Sequence, residues 1–160
     1  MSLIEEFYTL KTTDHRNRKL FDYWGANDEW LEDTHDYIQW MFPLQEASAF
    51  NVHAPLLSEE DRYNCLWNES VYDNFCRSFN VMCGFYGFYI TYNNTVKLKR
   101  WVTPQNHNFL RLTRILKSSM LMGAEPQARF LFRKLNDLYK THHEIITSKT
   151  VDFWKDAVGY

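Results

Sequence analysis

Asn106-His107-Asn108-Phe109-Leu110-Arg111-Leu112-Thr113-Arg114-Ile115-Leu116-Lys117-Ser118 decides how this chain folds. On a helical wheel Phe109, Leu112, Leu116 and Met120 gather on one side, and His107, Arg111, Arg114 and Ser118 on the other. The pattern predicts a helix from Thr103 to Gly123, opened by a Thr-Pro pair and closed by glycine. Two guanidinium groups one turn apart repel unless something negative stands between them, and this helix carries no Glu or Asp. His107 and Asn108 fall in the first turn, where free N–H groups and the helix dipole favour an anion, so the face suits a phosphate or carboxylate. The competing reading pairs Arg111 and Arg114 internally with acids of the N-terminal third, such as Glu32, Asp33 or Asp36.

A second stretch, His35-Asp36-Tyr37-Ile38-Gln39-Trp40-Met41-Phe42-Pro43, reads as the end of a helix that begins at Asn27 or Asp28 and stops before the proline. Trp30, Tyr37, Trp40 and Met41 share one side of it, while Asp28, Glu32, His35 and Gln39 share the other. His35 and Gln39 then stand one turn apart and can bond one partner. Trp40 or Tyr37 can stack a base or fill the core. His35-Asp36 also admits a metal-dependent phosphohydrolase. Adjacent helical residues diverge by about 100°, however, and a metal needs further ligands.

Outward from these stretches, residues 1–16 read as irregular or extended, and Arg18–Tyr23 as a short helix closed near Gly25. Leu44–Leu57 reads as a loop, and Ser58 caps a further helix. Glu69–Tyr86 has Val71, Phe75, Phe79, Met82 and Phe85 at helical spacing. Phe88–Tyr92 and Val96–Arg100 flank Asn93-Asn94 and predict a small β-hairpin. Glu125 to about Ile145 and residues 148–158 are the last two helices. The expected fold is mainly α: one compact domain over 1–160, with about six helices and one hairpin.

The chain has 160 residues, 45% apolar and 18% aromatic, enough for one core built largely of rings. Three cysteines without a C-x-x-C pair, and no export signal, imply reduced thiols and a cytoplasmic setting. The longest apolar run, Val81–Ile90, is too short to span a bilayer. Charge is uneven. Residues 1–73 hold fifteen acids and five bases, whereas residues 74–124 hold seven bases and no acid. That segment either attracts anions or packs beside the acidic third. An isoelectric point near 6.3 and the lack of a binding motif argue against nucleic acid. No G-x-S-x-G, P-loop, G-x-G-x-x-G, H-E-x-x-H or C-x-x-C motif is present, so no cofactor is implied and catalysis is disfavoured.

The two stretches, in this order, resemble the opioid growth factor receptor family. The family's pattern is similar to His35–Pro43, then a Phe-Tyr-Gly ending at Phe85-Tyr86-Gly87, then His107–Ser118, with Gly123-Ala124-Glu125 as a helix break. Met41, Leu112 and Ser119 are mild departures. The resemblance covers about residues 7–140. It implies a protein named for binding a small opioid peptide and linked to growth control at the nucleus. The chain looks like a stand-alone bacterial or viral form that lacks the extra eukaryotic segments.

Together these readings predict a non-catalytic binding domain. A polar cleft between the second helix and the Thr103–Gly123 helix would hold a small anionic, nucleotide-like ligand, sequestering a signalling nucleotide. His35 and Gln39 would orient it, and Trp40 would stack. Asn108, Arg111 and Arg114 would take its charge, with His107 and Lys117 in support. A peptide or protein interaction module is the alternative, its mark an exposed aromatic patch.

Overall fold

A computed structural model describes residues 1–160 as ten helices. They are α1 (Leu3–Tyr8), α2 (Leu20–Trp24), α3 (Asp28–Asp33), α4 (Ile38–Met41), α5 (Glu59–Leu66), α6 (Glu69–Tyr86), α7 (Thr95–Trp101), α8 (Asn108–Leu121), α9 (Glu125–Thr141) and α10 (Ser148–Ala157). One continuous apolar core runs through them, rich in rings such as Phe7, Tyr8, Tyr37, Phe75, Tyr86, Trp101 and Trp154. The helix α6 forms the spine. Asn68 caps it by accepting from the Ser70 and Val71 amides, and its Val71, Phe75, Phe79 and Met82 stripe is buried, as the periodicity predicts. α1, α5 and α7 pack on α6, and α8 packs on α9 and α10.

Ten helices stand where about six were expected, because α1 and α7 were read as irregular chain and strand, and α3 and α4 as one helix. The β-hairpin is absent; Phe88 and Asn93 form only an isolated bridge, and Val96–Arg100 belongs to α7. Alternating Val96 and Leu98 imitate a strand. The Asn94 side chain decides otherwise by accepting from the Lys97 amide at 3.2 Å, which starts a helix. Residues 1–16 are not all irregular, because Ser2 and Glu5 form a capping box that opens α1.

The expected helix from Asn27 to Met41 is two short helices. Thr34 leaves α3 in extended conformation (ψ 130), and α4 begins only at Ile38. The wheel drawn across both is therefore void, and Gln39 is buried. Likewise α8 starts at Asn108 instead of Thr103. Gln105 adopts φ 55, which breaks the helix register between Pro104 and His107. α9 stops at Thr141, short of Ile145.

Candidate functional site

A helix leaves its last carbonyls without intrahelical partners, and a buried carbonyl must find a donor elsewhere. Here side chains from other helices supply it. The Arg111 guanidinium closes α3: Nη1 donates to Leu31 O at 2.8 Å, and Nη2 to Thr34 O at 2.8 Å and Glu32 O at 3.4 Å. It is 7% exposed and stands over the Tyr37 ring. One turn on, Arg114 Nη1 donates to Phe42 O at 3.0 Å, and Ser118 Oγ to Pro43 O at 2.8 Å, closing α4. The His107–Ser118 face and the 31–43 segment are thus two halves of one clamp.

The same device recurs at two other helix ends. Lys97 Nζ, Arg100 Nη2 and Trp101 Nε1 of α7 donate to Gly84 O, Phe85 O and Tyr86 O, the last carbonyls of α6, at 2.7, 3.0 and 3.0 Å. Arg62 Nε donates to Leu121 O at the end of α8, at 3.0 Å. The acid-free segment 74–124 is therefore largely consumed by the fold. Lys97 and Arg100 also meet Asp28, Lys117 meets Glu46, and Arg77 stacks on the Trp24 ring at 4.4 Å.

Arg111 is paired internally, but with backbone carbonyls instead of the expected carboxylates. Glu32 instead takes His107 Nε2 at 2.8 Å and Asn108 Nδ2 at 3.1 Å. Asn108 is buried and its Oδ1 also accepts from the Tyr86 hydroxyl at 3.1 Å. Gln39 Oε1 accepts from Asn51 Nδ2 at 3.2 Å. Trp40 is 5% exposed and packs on Phe7, so its faces are closed to a base. His35 is exposed, and its Nδ1 accepts from Arg111 Nη2 at 3.2 Å. Arginine has no lone pair to offer, so the His35 proton sits on Nε2. Burial lowers the Arg114 pKa against the opposing charge of Glu46, and Lys117 holds Glu46 below the usual carboxylate range.

The wheel set His35 beside Gln39, but the fold puts it beside His107, with ring centroids 5.7 Å apart. Asp36 turns away to His15, Arg16 and Arg18 at 3.2, 2.6 and 2.9 Å. His35 and Asp36 thus serve different partners, and no three His, Cys, Asp or Glu side chains gather in metal-binding geometry.

The two principal hollows lie elsewhere, and none of the eight expected residues lines either. The larger, about 590 Å³, is a shallow groove where α5 meets α6, walled by Glu5, Tyr63, Asn64, Trp67, Asn68 and Glu69. Trp67 is 77% exposed and Tyr63 63%, with their rings 6.3 Å apart. The smaller, about 440 Å³, lies beside Arg18, Asp22 and Trp30. The sequence signal for the groove was Tyr63 and Trp67 one turn apart at the end of a helix that opens with Glu59, Glu60, Asp61 and Arg62. No helix is long and apolar enough to cross a membrane.

Residues 6–159 match the family described as the opioid growth factor receptor (OGFr) conserved region. The chain is similar to the rat opioid growth factor receptor, 34% identical over 146 residues, which covers 84% of this chain and 25% of that protein. It is similar to the human opioid growth factor receptor, 34% identical over 124 residues, covering 69% of this chain and 18% of that one. A third relative is the mouse opioid growth factor receptor-like protein 1, 29% identical over 123 residues, covering 69% and 26%. The chain thus spans about a quarter or less of the length of these relatives. No solved structure matches it.

Proposed function

The chain belongs to the opioid growth factor receptor conserved-region family, and on that footing we propose that it is a non-catalytic recognition domain for a peptide or protein, with the α5–α6 groove as its recognition face. The rat and human relatives are named receptors. One observation carries the reading. The Arg111 guanidinium, expected to bind a free ligand, is spent on backbone carbonyls, while the rings of Trp67 and Tyr63 stand in solvent beside a groove. Exposed aromatics of this kind mark interfaces more often than chance surface. Selection of a displayed random-peptide library on the immobilised domain tests the reading. A consensus peptide that enriches on the wild type and not on Trp67→Ala supports it; no enrichment on either defeats it.

A second reading keeps a small anion such as a nucleotide, at the ridge of Arg114 and Lys117. It is favoured by Arg114, which has no carboxylate within ion-pair distance and spends one donor nitrogen on Phe42 O. A ligand that binds only the folded state raises its thermal midpoint. Nucleoside triphosphates and cyclic dinucleotides, tried on wild type and Arg114→Ala, would raise only the wild-type midpoint. No rise with any of them removes the anion reading.

A further inference from the structure

Building on the recognition reading, we infer that the α5–α6 groove takes a cation: the lysine ammonium or arginine guanidinium of a peptide. Charge is the first argument. The N-terminal 73 residues carry three acids for each base, and Glu5 and Glu69 bring part of that excess to the groove wall. Three of the five bases there are engaged elsewhere, Arg16 and Arg18 on Asp36 and Arg62 on Leu121 O.

Glu5 is the second argument. Its side chain is 8% exposed, yet the fold uses only half of it. Oε2 accepts the Ser2 amide at 2.9 Å in the α1 capping box, and Oε1 meets no protein donor. Oε1 is open to water in the groove wall, and a peptide cation can take that water's place. The rings are the third. A cation over the face of Trp or Tyr is drawn by the ring quadrupole, and Trp67 and Tyr63 offer such faces next to the carboxylates. An anion meets repulsion here. The amides at the start of α6 that could have offset it, of Ser70 and Val71, are already held by Asn68 Oδ1 at 3.1 and 3.3 Å. Nucleic acid and anionic membranes are excluded on the same ground.

The test uses the full chain, ¹⁵N-labelled, titrated with Nα-acetyl-lysine amide and with its neutral counterpart, Nα,Nε-diacetyl-lysine amide. The charged probe is expected to shift the Trp67 indole and the amides of residues 63–70. The neutral probe should bind about tenfold more weakly, which corresponds to about 1.4 kcal/mol. Glu69→Gln and Glu5→Gln should each weaken the charged probe several-fold and leave the neutral one unchanged. Glutamine at position 5 still accepts the Ser2 amide, so the cap survives. Equal binding of both probes overturns the cation and leaves peptide recognition standing. No shift at residues 63–70 with either probe overturns the cation as well, and the library selection then decides separately on recognition.

Discussion

Arg111 on α8 and Leu31 on α3 are eighty residues apart in sequence and joined by a 2.8 Å hydrogen bond from guanidinium Nη1 to carbonyl oxygen. That contact, and its companion to Thr34, turns a charged face into a structural one. Bonds from a charged donor contribute about 1.5–3 kcal/mol each, and orphaned buried carbonyls cost a further share. Arg111→Ala should therefore lose about 3–4 kcal/mol in urea denaturation. Arg111→Lys should recover less than half of it, since one ammonium cannot reach three carbonyls at once. A loss under about 0.5 kcal/mol, typical of an ordinary surface site, would show that the clamp does not matter.

The end of α6 offers a paired control. Lys97 donates to Gly84 O at 2.7 Å, while Lys99, two residues on, is exposed and makes no bond. Lys97→Met should cost about 1 kcal/mol, and Lys99→Met should stay within about 0.5 kcal/mol of wild type. Equal midpoints for the two variants would mean that cation capping contributes nothing at this helix end.

Gly87 closes α6 at φ +90, and an added Cβ would lie 2.8 Å from Asn94 O and 2.9 Å from Lys97 Cβ. The first belongs to the N-cap of α7 and the second to its first turn. Gly87→Ala should lower stability by about 2 kcal/mol or more, through backbone strain and through displacement of Lys97. An unchanged thermal midpoint would be inconsistent with this turn.

Acid stability should depend on Asp14 and Asp36. Burial alone would raise both pKa values. The Tyr23 hydroxyl, the Arg16 and Arg18 amides and the Arg18 guanidinium outweigh it at Asp14, and Arg18, Arg16 and His15 do so at Asp36. Both folded values lie below the unfolded carboxylate value of about 3.9. The folded state then binds fewer protons than the unfolded one, so the contribution is complete above the unfolded pKa and fades as pH falls through the folded one. Asp14→Asn should reduce stability at pH 7 and flatten its fall below about pH 4. A variant whose acid limb parallels the wild type would contradict this.

Thiol accessibility gives a further check. Burial pushes the Cys65 and Cys83 thiols up to about 12, and both are shielded, while Cys76 is half-exposed. Titration of the native protein with a disulfide reagent should modify Cys76 first, and the other two only as the chain unfolds. Rapid reaction of all three would contradict the packing of α5 and α6.

Much of the helix content was legible because long amphipathic stripes leave one solution. Glu69–Tyr86 appears with the predicted bounds, and Ser58 caps α5 as expected, whereas α10 is capped by Thr147, one residue before the expected Ser148. What failed was short. The alternation in Val96–Arg100 could not reveal that Asn94 would cap, and nothing in Thr34-His35-Asp36 announced a break between α3 and α4. The candidate site misled for a related reason. A face of His107, Arg111, Arg114 and Ser118 looks the same whether its partner is a ligand or the carbonyl end of another helix. Only the tertiary placement of Leu31, Thr34, Phe42 and Pro43 distinguishes them. The groove was missed because exposed Tyr63 and buried Tyr37 carry identical signatures in a list of residues.

The most direct test of the carbonyl clamp is nitrogen NMR of the arginine side chains. A guanidinium held at both Nη atoms cannot rotate freely about its Nε–Cζ bond, whereas an exposed one averages. Arg111 should show separate, slowly exchanging Nη signals that are absent in Arg111→Lys, beside averaged signals from exposed Arg133. Averaged signals from Arg111, indistinguishable from those of Arg133, would contradict the clamp.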